Sequence, residues 1–319
     1  MRLASLLIAA LAAANGHAQT PVYPTKPIRM IVPFTPGGPA DIGGRIVAQK
    51  LNEAWGQQVI VENRAGASGT IGADAVAKAP PDGYTMLLNA SIHVIVPSLF
   101  KKMPYDAIRD FTPVSVVYSS PLLLAVTPTL PVKNVREFIA LAKARPGELA
   151  FASAGSGSST HLTAELLKTV TGTKMTHVPY KGQSQALTDL IAGHIPFMFN
   201  SLPPVIEFVR AGRLRVLAIT STTRAKQFPD VPTFAESGYK DLITGSWYAV
   251  WLPAKTPDAI VTRLNTEIAR IIKEPDVRNR ILDLGGEPVG NTPAEFDAFQ
   301  KAEMTRWAQV IKAAGAKVE

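Results

Sequence analysis

Along this chain, short and nearly continuous apolar runs alternate with stretches of helical spacing. The run "IRMIVPF" (Ile28–Phe34) passes through a Gly/Pro-rich segment into apolar residues at Ile42, Ile46, Val47 and Leu51, one face of a helix. "QVIVEN" (Gln58–Asn63) leads through "RAGASG" to a helix starting near Thr70, and "YTMLLNA" (Tyr84–Ala90) leads to "SIHVIVPSL". Farther on, "ELAFASA" (Glu148–Ala154) passes through "GSGSS" into a helix with Leu162, Leu166, Leu167 and Val170 inside. "KMTHVPY" precedes a helix near 185–192, "IPFMFNS" precedes another, and "RLRVLAIT" follows it. Runs without polar alternation are strands covered on both faces, so the expectation is an α/β fold with mainly parallel sheets flanked by helices.

The pattern restarts twice. After "LLLAVTP" (Leu122–Pro128) a new series begins with a helix near Asn134–Ala144, and after "SWYAVWLPAKTP" (Ser246–Pro257) the chain is almost wholly helical. Two restarts predict two lobes with two crossings between them, near residues 125 and 248. Residues 19–125 and 248–319 then share one lobe, and 126–247 form the other.

The N-terminus modifies this picture. Arg2 precedes the apolar stretch Leu3–Ala14 and the small-residue sequence "NGHA" before Gln19. This is the order of a secretory signal peptide, residues 1–18, with cleavage after Ala18. A membrane anchor is the competing reading, but the stretch falls short of the roughly 20 apolar residues a spanning helix needs. The expected product is exported and carries no membrane anchor.

Composition narrows the function. Of 319 residues, 46% are hydrophobic and 18% charged, as in an ordinary globular protein. The net charge of +8 is scattered, with no Lys/Arg run longer than Lys101-Lys102, which argues against nucleic acid and favours small anions. The absence of cysteine removes disulfides, thiolate metal sites and a Cys nucleophile.

Two loops can present bare backbone donors. In "FTPGGPAD" (Phe34–Asp41), proline fixes φ, glycine permits left-handed turns, and the helix that follows has N–H groups without intrahelical partners. "SAGSGSSTHL" (Ser153–Leu162) repeats the arrangement, with Gly155 and Gly157 beside three hydroxyl residues. If the lobes face each other, two helix N-termini meet in one cleft and hold an anion. Asp41 has two roles open to it, capping the first helix or meeting a donor on a ligand. His161, near a helix start, either lines the cleft or is a half-buried helix residue. Tyr180, Gly182, Asn200 and Ser201 end strands of the second series, where ligands of parallel sheets collect. Lys181 reads as a solvated charge, His177 and His194 as structural, and Trp247, Tyr248 and Trp251 as packing at the second crossing, where one of them can touch a ligand.

Enzyme motifs fail. "GSGSST" has Thr160 where a dinucleotide loop has its third glycine, and neither a P-loop nor G-x-S-x-G occurs. No H-x-x-x-H spacing suggests zinc.

The stretches "YPTKPIRMIVPFTPGGPADIGGRIVAQKL", "VIVENRAGASGTIGADAVAKAPPDGYTML", "VPYKG", "GRLRVLAIT", "FPDVPTFAESGY" and "WLPAKTP" occur in one order along the chain. In these the sequence resembles the Bug-type (TctC-like) solute-binding proteins of tripartite tricarboxylate transporters. The resemblance implies a two-lobed periplasmic binding protein, type II-like, that closes around a small carboxylate and delivers it to membrane permease subunits. It implies a monomer with no cofactor, no metal and no catalysis. Carried to this sequence, it implies ligand contacts from Phe34, Thr35, Gly37, Gly38 and Asp41, from Ser91, and from Gly155, Ser156, Gly157, Ser158 and His161, with Tyr180 and Gly182 nearby. "HIPFMFNS" departs from the family pattern at Pro196, and the neutral Asn200 carries no acidic contact. An exported α/β hydrolase or isomerase using the same cleft, or a receptor of the ATP-driven type, stays open at this level.

Overall fold

The computed structural model describes residues 23–283 and 285–314; the expected signal peptide lies outside them. Its elements in chain order are β1 (Ile28–Val32), α1 (Pro39–Trp55), β2 (Val59–Asn63), α2 (Thr70–Ala77), β3 (Thr85–Ala90), α3 (Ile92–Ile95) and β4 (Phe111–Val126). There follow α4 (Val135–Ala144), β5 (Ala150–Ser153), α5 (Ser159–Thr171), β6 (Thr176–Pro179), α6 (Gln183–Ala192), β7 (Phe197–Ser201), α7 (Ile206–Arg210) and β8 (Arg215–Ile219). The chain ends with β9 (Gly245–Pro253), α8 (Asp258–Lys273), α9 (Pro275–Asp283), β10 (Glu287–Pro288) and α10 (Pro293–Ala314).

The strands form two halves joined through β4. In the first half β2, β1 and β3 run parallel, and β9 and β4 continue the sheet antiparallel. In the second, β6, β5 and β7 run parallel, with β4 and β8 added antiparallel. The expectation of mainly parallel sheets therefore holds for three strands on each side, while β9 opposes them in the first half and β4 in the second. Residues Phe111–Pro121 of β4 pair with β9, and Leu122–Val126 pair with β7 and β8. Pro121 is in register with Gly245, where β9 begins.

Alternate strand residues enter opposite cores, which is why the apolar runs are continuous. Met30 packs with Leu88, Val250 and helices α1 and α8. Its neighbour Ile31 packs with Leu87, Trp251 and α10 on the other face. In the second half Leu122 and Leu124 join Phe138, Phe151 and Phe199, whereas Leu123 and Ala125 join Ala186 and Leu190 of α6. Each such Leu, Ile, Val, Phe or Met side chain, fully buried, contributes about 1.5–3 kcal/mol. Helix boundaries follow local signals: Asn134 caps α4 by accepting from Glu137 N–H at 2.9 Å, and Gly56 ends α1 in a left-handed turn.

Candidate functional site

Between the halves lies a cavity of about 50 Å³, room for roughly four water-sized groups. Its walls come from strand-to-helix junctions on both sides. The first half supplies Phe34, Thr35, Gly38, Pro39 and Ala40, the β3 end at Ala90–Ile92, and Ser246 and Tyr248 of β9. The second supplies Ala154, Ser158, Ser159, Thr160, Gly182 and Gln183.

The first loop is built around a buried carboxylate. Gly37 takes φ +80°, and Pro39 occupies the first position of α1, where a missing N–H costs nothing. Gly38 is the N-cap residue and no side chain caps the helix. Asp41 Oδ2 accepts from Gly37 N–H at 3.0 Å and Arg45 Nε at 2.9 Å, and Oδ1 accepts from Asn63 Nδ2 at 2.9 Å. Asn63 Nδ2 also donates to Phe34 O at 3.0 Å, so one residue of β2 fixes both ends of the loop. Burial opposes ionisation of Asp41, but the bonds from Arg45, Gly37 and Asn63 outweigh it and hold its pKa below the usual value. Asp41 does not line the cavity. Its oxygens brace the loop, a role between the two left open by the sequence.

The second loop turns at Gly155 (φ +129°) and Gly157 (φ +82°). Ser158, the N-cap of α5, accepts from His161 N–H and donates to Gly155 O at 2.7 Å. The third junction leads from β6 through Gly182 into α6, whose N-terminus also lacks a side-chain cap. A Cβ on Gly182 would stand 3.0 Å from Thr35 Oγ1 on the opposite wall, so the two sides approach closely there.

Three helices, α1, α5 and α6, thus begin at the cavity, each with first-turn N–H groups that have no intrahelical acceptor. Each N-terminus carries a partial positive charge of roughly +0.5. Among the described lining residues none carries an ionised side chain: burial pushes the Tyr248 phenol up to about 12. Ser91 Oγ, in the wall, is 1% exposed and has no hydrogen-bond partner. Such an arrangement recognises an anion through dipoles and hydroxyls.

Of the residues expected from sequence, Phe34, Thr35, Gly38, Ser91, Ser158 and Gly182 line this cavity. Gly155, Ser156 and Tyr180 line an adjoining groove of about 360 Å³ that shares Phe34 and Ala154 with it. Gly37, Asp41, Gly157, His161 and Asn200 line neither. His161 accepts from Gly157 N–H at 3.0 Å. Asn200 lies fully buried in β7, its Nδ2 toward Met198 Sδ at 3.3 Å. Sequence reasoning missed Pro39, Ala40, Ala90, Ile92, Ala154, Ser159, Thr160, Gln183 and Ser246 as wall residues. Thr160 and Ser159 were legible as the first turn of α5; Ser246 came into place only through the antiparallel path of β9.

The family described as "Tripartite tricarboxylate transporter family receptor" matches residues 44–316. BugT of Bordetella pertussis is 42% identical over 299 residues, covering 93% of this chain and 92% of that one. The solved structure "R. palustris Rpa4515 with adipate" has 40% identity and a TM-score of 0.89, covering 93% of this chain and all (100%) of that one. "MatC (Rpa3494) from Rhodopseudomonas palustris with bound malate" has 31% identity and a TM-score of 0.85, covering 91% and 100%. The chain therefore belongs to the tripartite tricarboxylate transporter receptor family.

Proposed function

We propose that this chain is an exported periplasmic receptor that closes on a small organic carboxylate and hands it to a tripartite tricarboxylate-type permease. The observation that carries the reading is the convergence of three helix N-termini and the unpartnered Ser91 hydroxyl on a cavity between two halves. A carboxylate satisfies the N–H groups and Ser91 together, and closure contributes donors from both sides at once. The relatives bound to adipate and malate support the ligand class. In this reading one lobe comprises residues 23–121 with 245–314, the other 122–244, and the mature protein acts as an anchor-free monomer. Ser153, which contacts His177, is fully buried and does not line the cavity.

The test is a panel of mono-, di- and tricarboxylates, amino acids and aromatic acids, read by the melting midpoint of the mature protein. A receptor with a micromolar dissociation constant binds with roughly −8 kcal/mol, and millimolar ligand then raises the midpoint by several degrees. No shift from any acid at millimolar concentration overturns the reading. Turnover of a bound acid replaces it with an α/β hydrolase or isomerase.

A further inference from the structure

Behind the second loop two imidazoles lie face to face. His161 of α5 and His177 of β6 stack with ring centroids 3.8 Å apart and planes inclined by 17°. Neither lines the cavity, yet each is tied to one of the two glycines that turn the loop. His161 Nδ1 accepts from Gly157 N–H at 3.0 Å. His177 Nε2 lies 2.6 Å from Ser153 Oγ, and that hydroxyl bridges Gly155, accepting from its N–H and donating to its C=O, each at 3.1 Å. Ser153 has a single proton; with it on Gly155 O, His177 must donate from Nε2, which fixes its tautomer.

The Gly157 bond needs an unprotonated Nδ1 on His161, whereas His177 donates from Nε2 in either state, and its surroundings keep it neutral. Burial, followed by the neighbouring His161, pushes its pKa down to about 3. The charged groups beside the pair are on α5: Glu165, 3.7 Å from His161 Nε2, and Lys168, which bonds Glu165 at 2.8 Å. β5 adds Phe151, stacked on His177 at 5.0 Å.

The segment these rings hold has two functional ends. Ser158 delivers its end to the cavity, and Ser156 O accepts from Ser68 Oγ on the opposite half at 3.0 Å. We propose that His161 and His177 are positioning residues for ligand capture: as a stacked pair they set the turns at Gly155 and Gly157 and so aim the start of α5 at the bound anion.

His161→Phe keeps the ring stack and removes the Nδ1 acceptor; His161→Asn keeps an acceptor near Gly157 and removes the stack. In the ligand-free protein, exchange of the Gly157 amide proton becomes at least about tenfold faster in the Phe variant and stays within about threefold of wild type in the Asn variant. Affinity for whichever of acetate, succinate, malate and adipate binds wild type most tightly falls about tenfold in the Phe variant and recovers in the Asn variant. The ligand-free melting midpoint follows the opposite order, because the Phe variant retains the stack. A role confined to stability makes affinity track the midpoint, and that outcome overturns the proposal, as does wild-type exchange and affinity in the Phe variant. Should His161→Phe not fold, His177→Phe reads the Gly155 amide in the same way. The affinity readout rests on the receptor reading: if wild type binds none of the four acids, that readout fails with it, and the exchange readout still decides the loop's geometry.

Discussion

The hydroxyl of Ser68 donates to the backbone oxygen of Ser156 at 3.0 Å, joining the loop before α2 to the loop before α5 across the cleft. Ser68 holds a left-handed backbone (φ 55°) in a non-glycine residue, a conformation that costs on the order of 1 kcal/mol. The bond exists only when the halves are together. Ser68→Ala removes about 1 kcal/mol from the closed form, and ligand affinity falls about fivefold, mainly through faster dissociation. Stopped-flow release of a bound carboxylate checks this; an unchanged release rate shows that the contact does not govern closure.

Ser91 gives a prediction in which stability and binding separate. Its Oγ is buried without a partner, so Ser91→Ala relieves an unsatisfied group and leaves the ligand-free midpoint unchanged or slightly higher. A hydrogen bond to a charged acceptor contributes about 1.5–3 kcal/mol, so carboxylate binding weakens at least about tenfold. Calorimetry of binding and unfolding on the same sample decides; a joint fall in both places Ser91 in the framework alone.

Gly157 tests the close approach of the two halves. A Cβ there collides with Leu99 Cδ1, and its φ is +82°. Gly193 has φ +80° and nothing within 4 Å of an added Cβ, so Gly193→Ala measures the backbone strain alone. Gly157→Ala should cost much more in ligand affinity than Gly193→Ala, and adding Leu99→Ala should restore part of the difference. Equal affinities for the two glycine variants mean that the loop yields without cost.

Two histidines make stability fall with acid. Burial pushes His93 down to about 4 and His177 to about 3, below the unfolded value near 6.5. Both are neutral in the folded state while the unfolded chain takes up protons below pH 6.5. Stability is therefore full above pH 6.5, falls as the pH drops, and levels off only once the folded pKa values are passed. Between pH 6.5 and 5 the carboxylates remain mostly ionised, which isolates this contribution. Urea unfolding at a series of pH values should show a slope in that window, shallower in His93→Gln; a flat profile contradicts neutral buried imidazoles.

The residues most legible in the sequence are those whose residue type marks a helix start. Gly38, Pro39 and Gly182 mark helix starts by chemistry that can be read one residue at a time. Tyr248 and Ser246 could not be placed in that way, because an apolar run does not state whether its strand runs parallel or antiparallel. Both reach the cavity because β9 runs opposite to β3, with Ala90 in register with Tyr248. Asp41 was legible as a helix-start residue, but its partner Asn63 arrives from another strand, which local spacing does not reveal. His161 and His177 are 16 residues apart, one in the first turn of α5 and the other in β6, and only the packing of α5 over β5 and β6 brings their rings together.

The pairing of Pro121 with Gly245 has a mechanical consequence. The two connections between the halves run side by side as a ribbon two strands wide, stiff to shear along its hydrogen bonds and soft to bending across its flat face. At the change-over one strand offers no N–H and the other no side chain, so this is where the ribbon flexes. A swing about that point would part α1 from α5 and α6 and leave the latter two together, since α5 and α6 both belong to the second half. In the receptor reading proposed above, capture would then proceed in two stages, an anion first seated against the paired helix ends and afterwards sealed by the single one.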